Sequence, residues 1–355
     1  MRAVYCRCPG FAASNPGYVL RFPCFVGEWL MLMKKTTILV LSDPNEPHLS
    51  MLSELHETAN VMIGNSAKAF EEVAADAEVI LNWSGPLSLL REMFLVSRHL
   101  RWVHSRSVGL ERTLFPELIA SDVTLTNGRG VFSAALGEFA LAAILYFAKD
   151  FRRMIRNQVA GLWEPFDVTP VSGQTVGIVG YGDIGRAVAA RVRAMGMNVL
   201  AVKRHVMATD QSDPLVDRIY SWNHRIEMLS RCDYVVVATP LNPETRGLIG
   251  EVEFAALKKT VVVINVGRGP VINEVAMLKA LSEHKIKGAA LDVFDEEPLP
   301  SEHPFYKLEN VLLSPHCADQ TPDWLDNARG LFVAQFERFR GGEPLLNVVD
   351  KKLGY

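Results

Sequence analysis

Three side chains in the C-terminal half have types that together suit the reduction of a carbonyl group: Arg268, Glu297 and His316. A histidine can protonate, near neutral pH, the alkoxide that hydride addition leaves. A carboxylate beside it favours the imidazolium and orients the ring, and a guanidinium can bind a substrate carboxylate through two hydrogen bonds. Each residue also has an ordinary interpretation: Arg268 as a loop arginine, Glu297 as a solvated acid and His316 as a structural histidine. Whether they act together depends on the elements that position them.

All three residues follow short apolar stretches that we predict to be strands. The predicted strands cover residues 261–265, 288–291 and 311–313. In open parallel sheets, ligands bind beyond the carboxyl ends of the strands. The three segments can therefore converge on one ligand at one edge of a sheet.

A glycine-rich turn precedes these strands and indicates what that ligand is. Gly180, Gly182 and Gly185 are spaced as G-x-G-x-x-G, between an apolar strand at residues 175–179 and a predicted helix at 186–195. In this context the spacing is a dinucleotide-binding fingerprint, with the pyrophosphate on the N–H groups of the helix start. We expect Gly180, Gly182, Asp183, Ile184 and Gly185 to contact the cofactor.

The N-terminal half predicts a second parallel sheet, because strands alternate with helices there as well. A long helix is predicted over residues 134–156, and an amphipathic helix over residues 324–340 could cross back to this sheet. The predicted fold class is α/β, with two Rossmann-like, doubly wound parallel sheets. The strands of the first sheet are predicted at residues 36–41, 78–82, 102–104 and 123–126, with helices at 48–57 and around 70–75.

Composition excludes several classes of protein. The 355 residues carry a formal net charge of −3 and no long basic run, which argues against nucleic-acid binding. No apolar run reaches the roughly 18 residues of a membrane span. Three of the five cysteines lie in the first thirty residues, a distribution that fits a reducing compartment, and we predict a cytoplasmic protein without a metal site. Residues 1–33 are interpreted as a disordered extension, with a poorly formed signal peptide as the alternative.

The motifs resemble those of the D-isomer-specific 2-hydroxyacid dehydrogenases. Residues 175–186 (TVGIVGYGDIGR) and 238–249 (ATPLNPETRGLI) carry the likeness, and the segments of Arg268, Glu297 and His316 follow in the order of the family. The resemblance covers about residues 36–350.

This resemblance implies a cofactor domain at residues 131–318, inserted in a substrate domain formed by residues 34–130 and 319–355. It implies that the backbone around Ser107, Val108 and Gly109 binds the substrate carboxylate. It also implies that Asp292 bonds the nicotinamide amide and that Thr239 and Pro240 border the cofactor. The helix from Ala134 and the turn at residues 161–163 resemble a dimerisation arm, so we expect a homodimer. Asn127, Arg129 and Glu138 match family positions too, with packing as an equally good interpretation.

One departure from the family pattern bears on the cofactor. Many NAD-dependent members place an acid at the end of the second strand of this domain, whereas here Lys203 and Arg204 stand there. These cations would attract a 2′-phosphate, so we predict that NADP(H) is preferred, with NAD(H) as the other cofactor. Two solvated surface cations are the alternative interpretation.

The predicted function is the reduction of a small 2-oxoacid, with glyoxylate and hydroxypyruvate as leading substrates by family analogy. Two alternatives stay open: an NAD-linked dehydrogenase of another D-2-hydroxyacid, and a non-catalytic, dinucleotide-sensing, corepressor-like protein. Cys317 is predicted to line the pocket as a small apolar group. Trp324 is placed either at the substrate mouth or in packing at a helix start.

Overall fold

The computed structural model describes residues 35–207 and 212–355, and the predictions for residues 1–33 lie outside this part of the chain. The described residues form two sheets in which every strand pair is parallel. The predicted α/β fold with two Rossmann-like sheets is confirmed. None of the helices in residues 35–207 and 212–355 combines the length and the apolar character that a membrane crossing requires.

The first sheet has five strands in the order β2-β1-β3-β4-β5. Apolar residues cover both of its faces, which explains the nearly continuous apolar runs of its central strands. The edge strand β2 was not predicted; its apolar run is only three residues long, and these residues are half-buried. The strands are β1 (Thr36–Leu41), β2 (Ala59–Gly64), β3 (Val79–Asn82), β4 (Trp102–Ser105) and β5 (Thr124–Thr126).

The connections of the first sheet contain two helices that were not predicted, α1 (Leu87–Val96) and α2 (Pro116–Ala120). The helix expected at residues 48–57 is a 3₁₀ helix, Pro47–Glu57. The helix expected around residues 70–75 is wrong. Two short 3₁₀ turns, Ala67–Phe70 and Ala74–Asp76, replace it and bury Phe70 and Ala74 against the sheet.

The second sheet has seven strands in the order β12-β11-β10-β9-β6-β7-β8. Two apolar clusters cover its faces. Its edge strand β8 was not predicted. The strands are β6 (Thr175–Val179), β7 (Asn198–Lys203), β8 (Arg218–Ser221), β9 (Tyr234–Val237), β10 (Val262–Asn265), β11 (Gly288–Leu291) and β12 (Val311–Leu313).

A broken helix leads from the first sheet to the second. The single helix predicted at residues 134–156 is wrong, because α3 (Ser133–Lys149) and α4 (Phe151–Ala160) meet at Asp150. Asp150 has φ 51°, a left-handed conformation that ends α3, and its side chain accepts a hydrogen bond from the N–H of Arg153 at the start of α4. The remaining helices of the second sheet are α5 (Asp183–Ala194), α6 (Arg225–Leu229), α7 (Glu251–Ala256) and α8 (Glu274–Ser282).

The last helix, α9 (Trp324–Arg340), returns to the first sheet. Its Phe332 stacks on Trp102 of β4, with ring centroids 5.3 Å apart, and both side chains are fully buried. The second sheet is therefore inserted between parts of the chain that build the first. The domain limits at 130/131 and 318/319 stay a prediction.

Candidate active site

His316 and Glu297 are brought together by two loops at the carboxyl edge of the second sheet. His316 Nδ1 lies 2.7 Å from Glu297 Oε2, and Glu297 Oε1 accepts a hydrogen bond of 2.9 Å from the N–H of Phe294. Since a carboxylate can only accept, Nδ1 carries the proton that forms this contact. The pair therefore fixes the tautomer and leaves Nε2 as the ring atom that can act on a substrate.

Asp292 holds the turn that presents His316. It is buried at the end of β11, and its Oδ1 accepts from Ser314 Oγ at 2.6 Å and from the N–H groups of Cys317 and Ala318 at 3.0 and 3.1 Å. His316 itself has φ 52°, in the left-handed region that a histidine enters only when its surroundings hold it there. The three bonds to Asp292 supply that constraint. Cys317, predicted to line a pocket, is exposed.

Arg268 links the two sheets at the site. Its Nε donates to Glu111 Oε1 at 3.1 Å, and its Nη1 donates to the carbonyl of Gly267 at 2.8 Å. Gly109, on the loop after β4, lies so close that an added Cβ would stand 1.8 Å from Arg268 Nη2. The segment predicted to bind the substrate carboxylate is therefore in direct contact with the predicted catalytic arginine.

The loop of Ser107, Val108 and Gly109 is fixed by the chain that follows β5. Asn127 Nδ2 donates to the carbonyl of Val108 at 3.0 Å, and the N–H of Gly128 donates to the carbonyl of Ser107 at 3.2 Å. These bonds hold the backbone of the loop against Arg268.

Asp319 completes the cluster, and nothing in the sequence motifs indicated it. Burial, and then the charge of Asp292, raise the pKa of the Asp319 carboxyl, while His316 and Arg268 lower it. The charges of Asp292, His316 and Arg268 all interact with the carboxyl group of Asp319. A change of charge at one of these four residues therefore affects the others. Only the position of Asp319, three residues after His316, could have suggested this.

The glycine turn has the shape that a dinucleotide requires. Gly180 has φ 96°, and an added Cβ would lie 2.7 Å from Thr239 Oγ1; at Gly185 it would lie 2.4 Å from the carbonyl of Gly180. At Gly182, by contrast, nothing lies within 4 Å of an added Cβ. No described side chain caps the start of α5, so its first N–H groups are available to a ligand. The turn thus fits a pyrophosphate, and residues 141–318 match the family model of the D-isomer specific 2-hydroxyacid dehydrogenase NAD binding domain.

The chain belongs to the D-isomer-specific 2-hydroxyacid dehydrogenase family.

The relatives of this dehydrogenase include enzymes named for a small acid and enzymes named for a phosphorylated acid. Over 271 residues it is 33% identical to a glyoxylate reductase of Thermococcus gammatolerans, covering 74% of this chain and 80% of that protein. Over 318 residues it is 29% identical to a D-3-phosphoglycerate dehydrogenase of Methanocaldococcus jannaschii, covering 88% of this chain and 59% of that protein. The chain therefore spans about three-fifths of the length of that second relative.

A solved structure with the same fold is the NADPH-dependent glyoxylate/hydroxypyruvate reductase of Sinorhizobium meliloti in complex with NADP and sulfate. The two chains are 26% identical with a TM-score of 0.77, and the match covers 91% of this chain and 100% of that one. Together with the family match, this likeness identifies the dehydrogenase as an NAD(P)-linked oxidoreductase of 2-hydroxyacids.

The basic end of β7 in this dehydrogenase has an acidic neighbour that the sequence did not indicate. Arg204 Nη2 lies 2.6 Å from Glu244 Oε1, and Glu244 belongs to the turn held by Asn242 and Thr245. This turn follows Thr239 and Pro240, which were predicted to border the cofactor. The positive charge of Arg204 is therefore shared with a carboxylate, while Lys203 ends the strand beside it.

Other predicted residues of the dehydrogenase have structural partners. Asp183 accepts a hydrogen bond from Ser133 Oγ, and Ile184 packs in an apolar cluster under the glycine turn. Arg129 Nε donates to Asn347 Oδ1 at 3.3 Å, and Glu138 pairs with Arg191 at 3.0 Å. For Arg129 and Glu138 these contacts favour the packing interpretation.

Proposed function

We propose that this dehydrogenase works mainly as a reductase of small 2-oxoacids, with D-2-hydroxyacids as products. The observation that carries the proposal is the 2.7 Å contact between His316 Nδ1 and Glu297, at the edge of the sheet where Arg268 meets Gly109. The reduction of a 2-oxoacid requires a proton donor, for which His316 is oriented by Glu297. It also requires a cation for the substrate carboxylate, and the guanidinium of Arg268 lies beside the backbone of Gly109.

Arg268 binds the substrate carboxylate and polarises the adjacent carbonyl. Its guanidinium is held by Glu111 and by the carbonyl of Gly267, which leaves its Nη2 edge against the loop of Gly109. A planar guanidinium offers two parallel N–H groups to a carboxylate, so the substrate is oriented as well as bound.

His316 supplies the proton. When bound, the reduced nicotinamide supplies the hydride that the carbonyl carbon accepts. The oxygen of the former carbonyl then takes a proton from Nε2 of the ring protonated on both nitrogens, and the contact of Nδ1 with Glu297 stabilises that imidazolium until the transfer. Glu297 is thus a positioning and electrostatic partner, and Asp292 fixes the loop that aims the ring.

We propose NADPH as the preferred cofactor. Two observations support it: Lys203 and Arg204 stand where many NAD-linked members have an acid, and the relative from Sinorhizobium meliloti is named as NADPH-dependent. Glu244 weakens the preference by pairing with Arg204. A hydrogen bond to a charged group contributes about 1.5–3 kcal/mol, so Arg204→Ala should reduce affinity for NADPH by about 10- to 100-fold. Affinity for NADH should change much less.

Steady-state rates with a panel of 2-oxoacids, followed by the absorbance of the reduced nicotinamide, test the proposal. Glyoxylate and hydroxypyruvate are the leading substrates, since several relatives are named glyoxylate reductases. Catalytic efficiency with NADH equal to or above that with NADPH would contradict the cofactor preference. Binding of NADPH without turnover of any 2-oxoacid would instead favour a dinucleotide-sensing protein.

We also propose that the enzyme is a cytoplasmic homodimer. The helix α4 and the turn after it expose a set of large apolar side chains, of which Trp163 is 95% exposed, and a second copy would cover them. Cys232 and Cys317, the two cysteines in the described part of the chain, are free thiols, which suits a reducing compartment. Light scattering of the purified protein tests the dimer, and a monomer at micromolar concentration would contradict it. The apolar side chains are Phe151, Met154, Ile155, Val159, Leu162 and Trp163.

A further inference from the structure

We infer that Arg106 forms a second anion-binding subsite beside Arg268, so that the favoured substrates are 2-oxoacids that carry another anionic group, a carboxylate or a phosphate, at their far end. This inference rests on the proposed reduction of 2-oxoacids and names the substrate class more closely.

Arg106 stands at the end of β4, held between two tryptophans. Its Cζ lies 5.0 Å from the ring centroid of Trp83, which follows β3, and 4.9 Å from that of Trp324, at the start of α9. The Trp324 ring also packs on Phe132, with centroids 5.8 Å apart. The guanidinium is therefore in contact with two aromatic rings, which position it and reduce its contact with water.

The charge of Arg106 is not balanced locally. Its Nε is shielded from solvent without a hydrogen-bond partner, and no carboxylate within residues 35–207 and 212–355 forms an ion pair with it. Burial lowers the pKa of the guanidinium, and the charge of Glu46 offsets this only in part. A desolvated cation of this kind is stabilised by an anion that enters its site.

Two further polar atoms at the same strand ends lack partners. Asn82 Oδ1 and Trp83 Nε1 are both buried without a hydrogen bond, although buried polar groups are almost always satisfied. Of these two residues, Trp83 also contacts the guanidinium of Arg106 through its ring, so unsatisfied polar groups surround the Arg106 side chain on this side of the sheet.

This subsite lies within reach of the reacting centre. Only two residues separate Arg106 from Gly109, so their Cα atoms, three steps of the chain apart, are at most about 11 Å apart. Gly109 is in contact with Arg268, and the intervening Ser107 and Val108 form the loop predicted to bind the substrate carboxylate. One small molecule can therefore place one anionic group on Arg268 and a second on Arg106.

The test compares matched substrates with the full-length enzyme and saturating NADPH. Oxaloacetate and 3-phosphohydroxypyruvate carry the second anion as a carboxylate or a phosphate, and 2-oxobutyrate and hydroxypyruvate are their uncharged-tail counterparts. A hydrogen-bonded charge pair should raise kcat/KM about 10- to 100-fold for at least one dianionic substrate over its uncharged-tail counterpart. Whichever of oxaloacetate and 3-phosphohydroxypyruvate shows the larger gain tells whether the subsite favours a carboxylate or a phosphate.

Arg106→Gln should remove this advantage, chiefly through KM, and should change kcat/KM for glyoxylate by less than about threefold, within the range of indirect effects. Arg106→Lys should retain part of it. The matched control is Arg101→Gln, since Arg101 also lies over an aromatic ring, Phe339 at 4.7 Å, but on an exposed side chain away from the loop. It should leave the advantage intact.

Equal losses for glyoxylate and for the dianionic substrates in Arg106→Gln, or no preference in the wild type, would overturn the subsite. A measurement without variants covers the case in which Arg106→Gln does not fold: D-malate should quench the tryptophan fluorescence of the NADPH complex at a concentration about 10-fold below that of D-lactate. Equal potency would overturn the subsite. If no 2-oxoacid is reduced at all, the proposed function fails, and the fluorescence titration still decides the subsite.

Discussion

The contact between Gly109 and Arg268 makes a sharp prediction for Gly109→Ala. A Cβ at this position would stand 1.8 Å from Arg268 Nη2, 2.8 Å from its Cζ and 2.6 Å from Glu111 Oε2. An ordinary contact between such atoms is about 3.5 Å, so the guanidinium must retreat by about 1.7 Å, the difference between 3.5 Å and 1.8 Å. The atoms that must move are the far ends of two flexible side chains, so the fold can accommodate the methyl group while the site cannot.

A displacement of this size removes the alignment of the substrate carboxylate. Since misplacing a reacting group by about 1 Å can reduce the rate by about 100-fold, we expect kcat/KM for a 2-oxoacid to fall by at least about that factor. Gly109 does not have a positive φ, so alanine strains no backbone, and stability should change by less than about 1 kcal/mol.

Steady-state kinetics and thermal unfolding, measured side by side, check this prediction. The control is Gly330→Ala in α9, where nothing lies within 4 Å of an added Cβ and where alanine favours the helix. It should keep full activity and an equal or higher Tm. Wild-type activity in Gly109→Ala, or a loss of stability as large as the loss of activity, would refute the reasoning.

Three further substitutions have expected outcomes. Glu244→Gln frees Arg204 from a largely exposed ion pair, so the Kd for NADPH should fall about two- to fivefold while the Kd for NADH stays the same. Fluorescence titration measures both constants, and an unchanged ratio of the two Kd values would count against the NADPH site. Burial lowers the pKa of His104 to about 3, so the folded state is penalised as pH falls from about 6.5 towards 3. Urea unfolding should show that His104→Asn removes about 2 kcal/mol of the stability lost between pH 8 and pH 5, and an unchanged loss would contradict this. The pKa of Asp319 is raised, so its stabilising neutral form is lost as pH rises through that pKa. Asp319→Asn should therefore raise Tm at pH 7 and lose the advantage near pH 3; a lower Tm at both would be the contrary result.

The sequence predicts the central strands of both sheets, and of the four edge strands it predicts β5 and β12 but not β2 and β8. Central strands such as β6 and β9 are covered on both faces, so their residues form apolar runs that periodicity recognises. The edge strands β2 and β8 are covered less completely: β2 has one short apolar run of half-buried residues, and β8 has only two apolar residues between Arg218 and Ser221. The break at Asp150 has no proline or glycine to signal it, because an aspartate adopts the left-handed conformation there.

Part of the candidate site could be predicted from the sequence and part could not. Arg268, Glu297 and His316 could be predicted, because each follows a recognisable strand and the family order supports it. The contacts of Glu244 and of Arg106 could not, since they join residues distant in sequence. Asp319 lies close to His316 in sequence, but no motif marked it. The pairing of Arg204 with Glu244 joins residues forty positions apart, which no local spacing indicates.

The most direct test of the central claim is the reduction of glyoxylate by His316→Asn. Asparagine tolerates the left-handed conformation that His316 adopts, with φ 52°, so the loop should keep its shape. If His316 is the proton donor, kcat should fall by about 100- to 10,000-fold, while the Kd for NADPH stays within about twofold of the wild type. A variant that binds NADPH normally and retains more than about a tenth of the wild-type kcat would contradict the account.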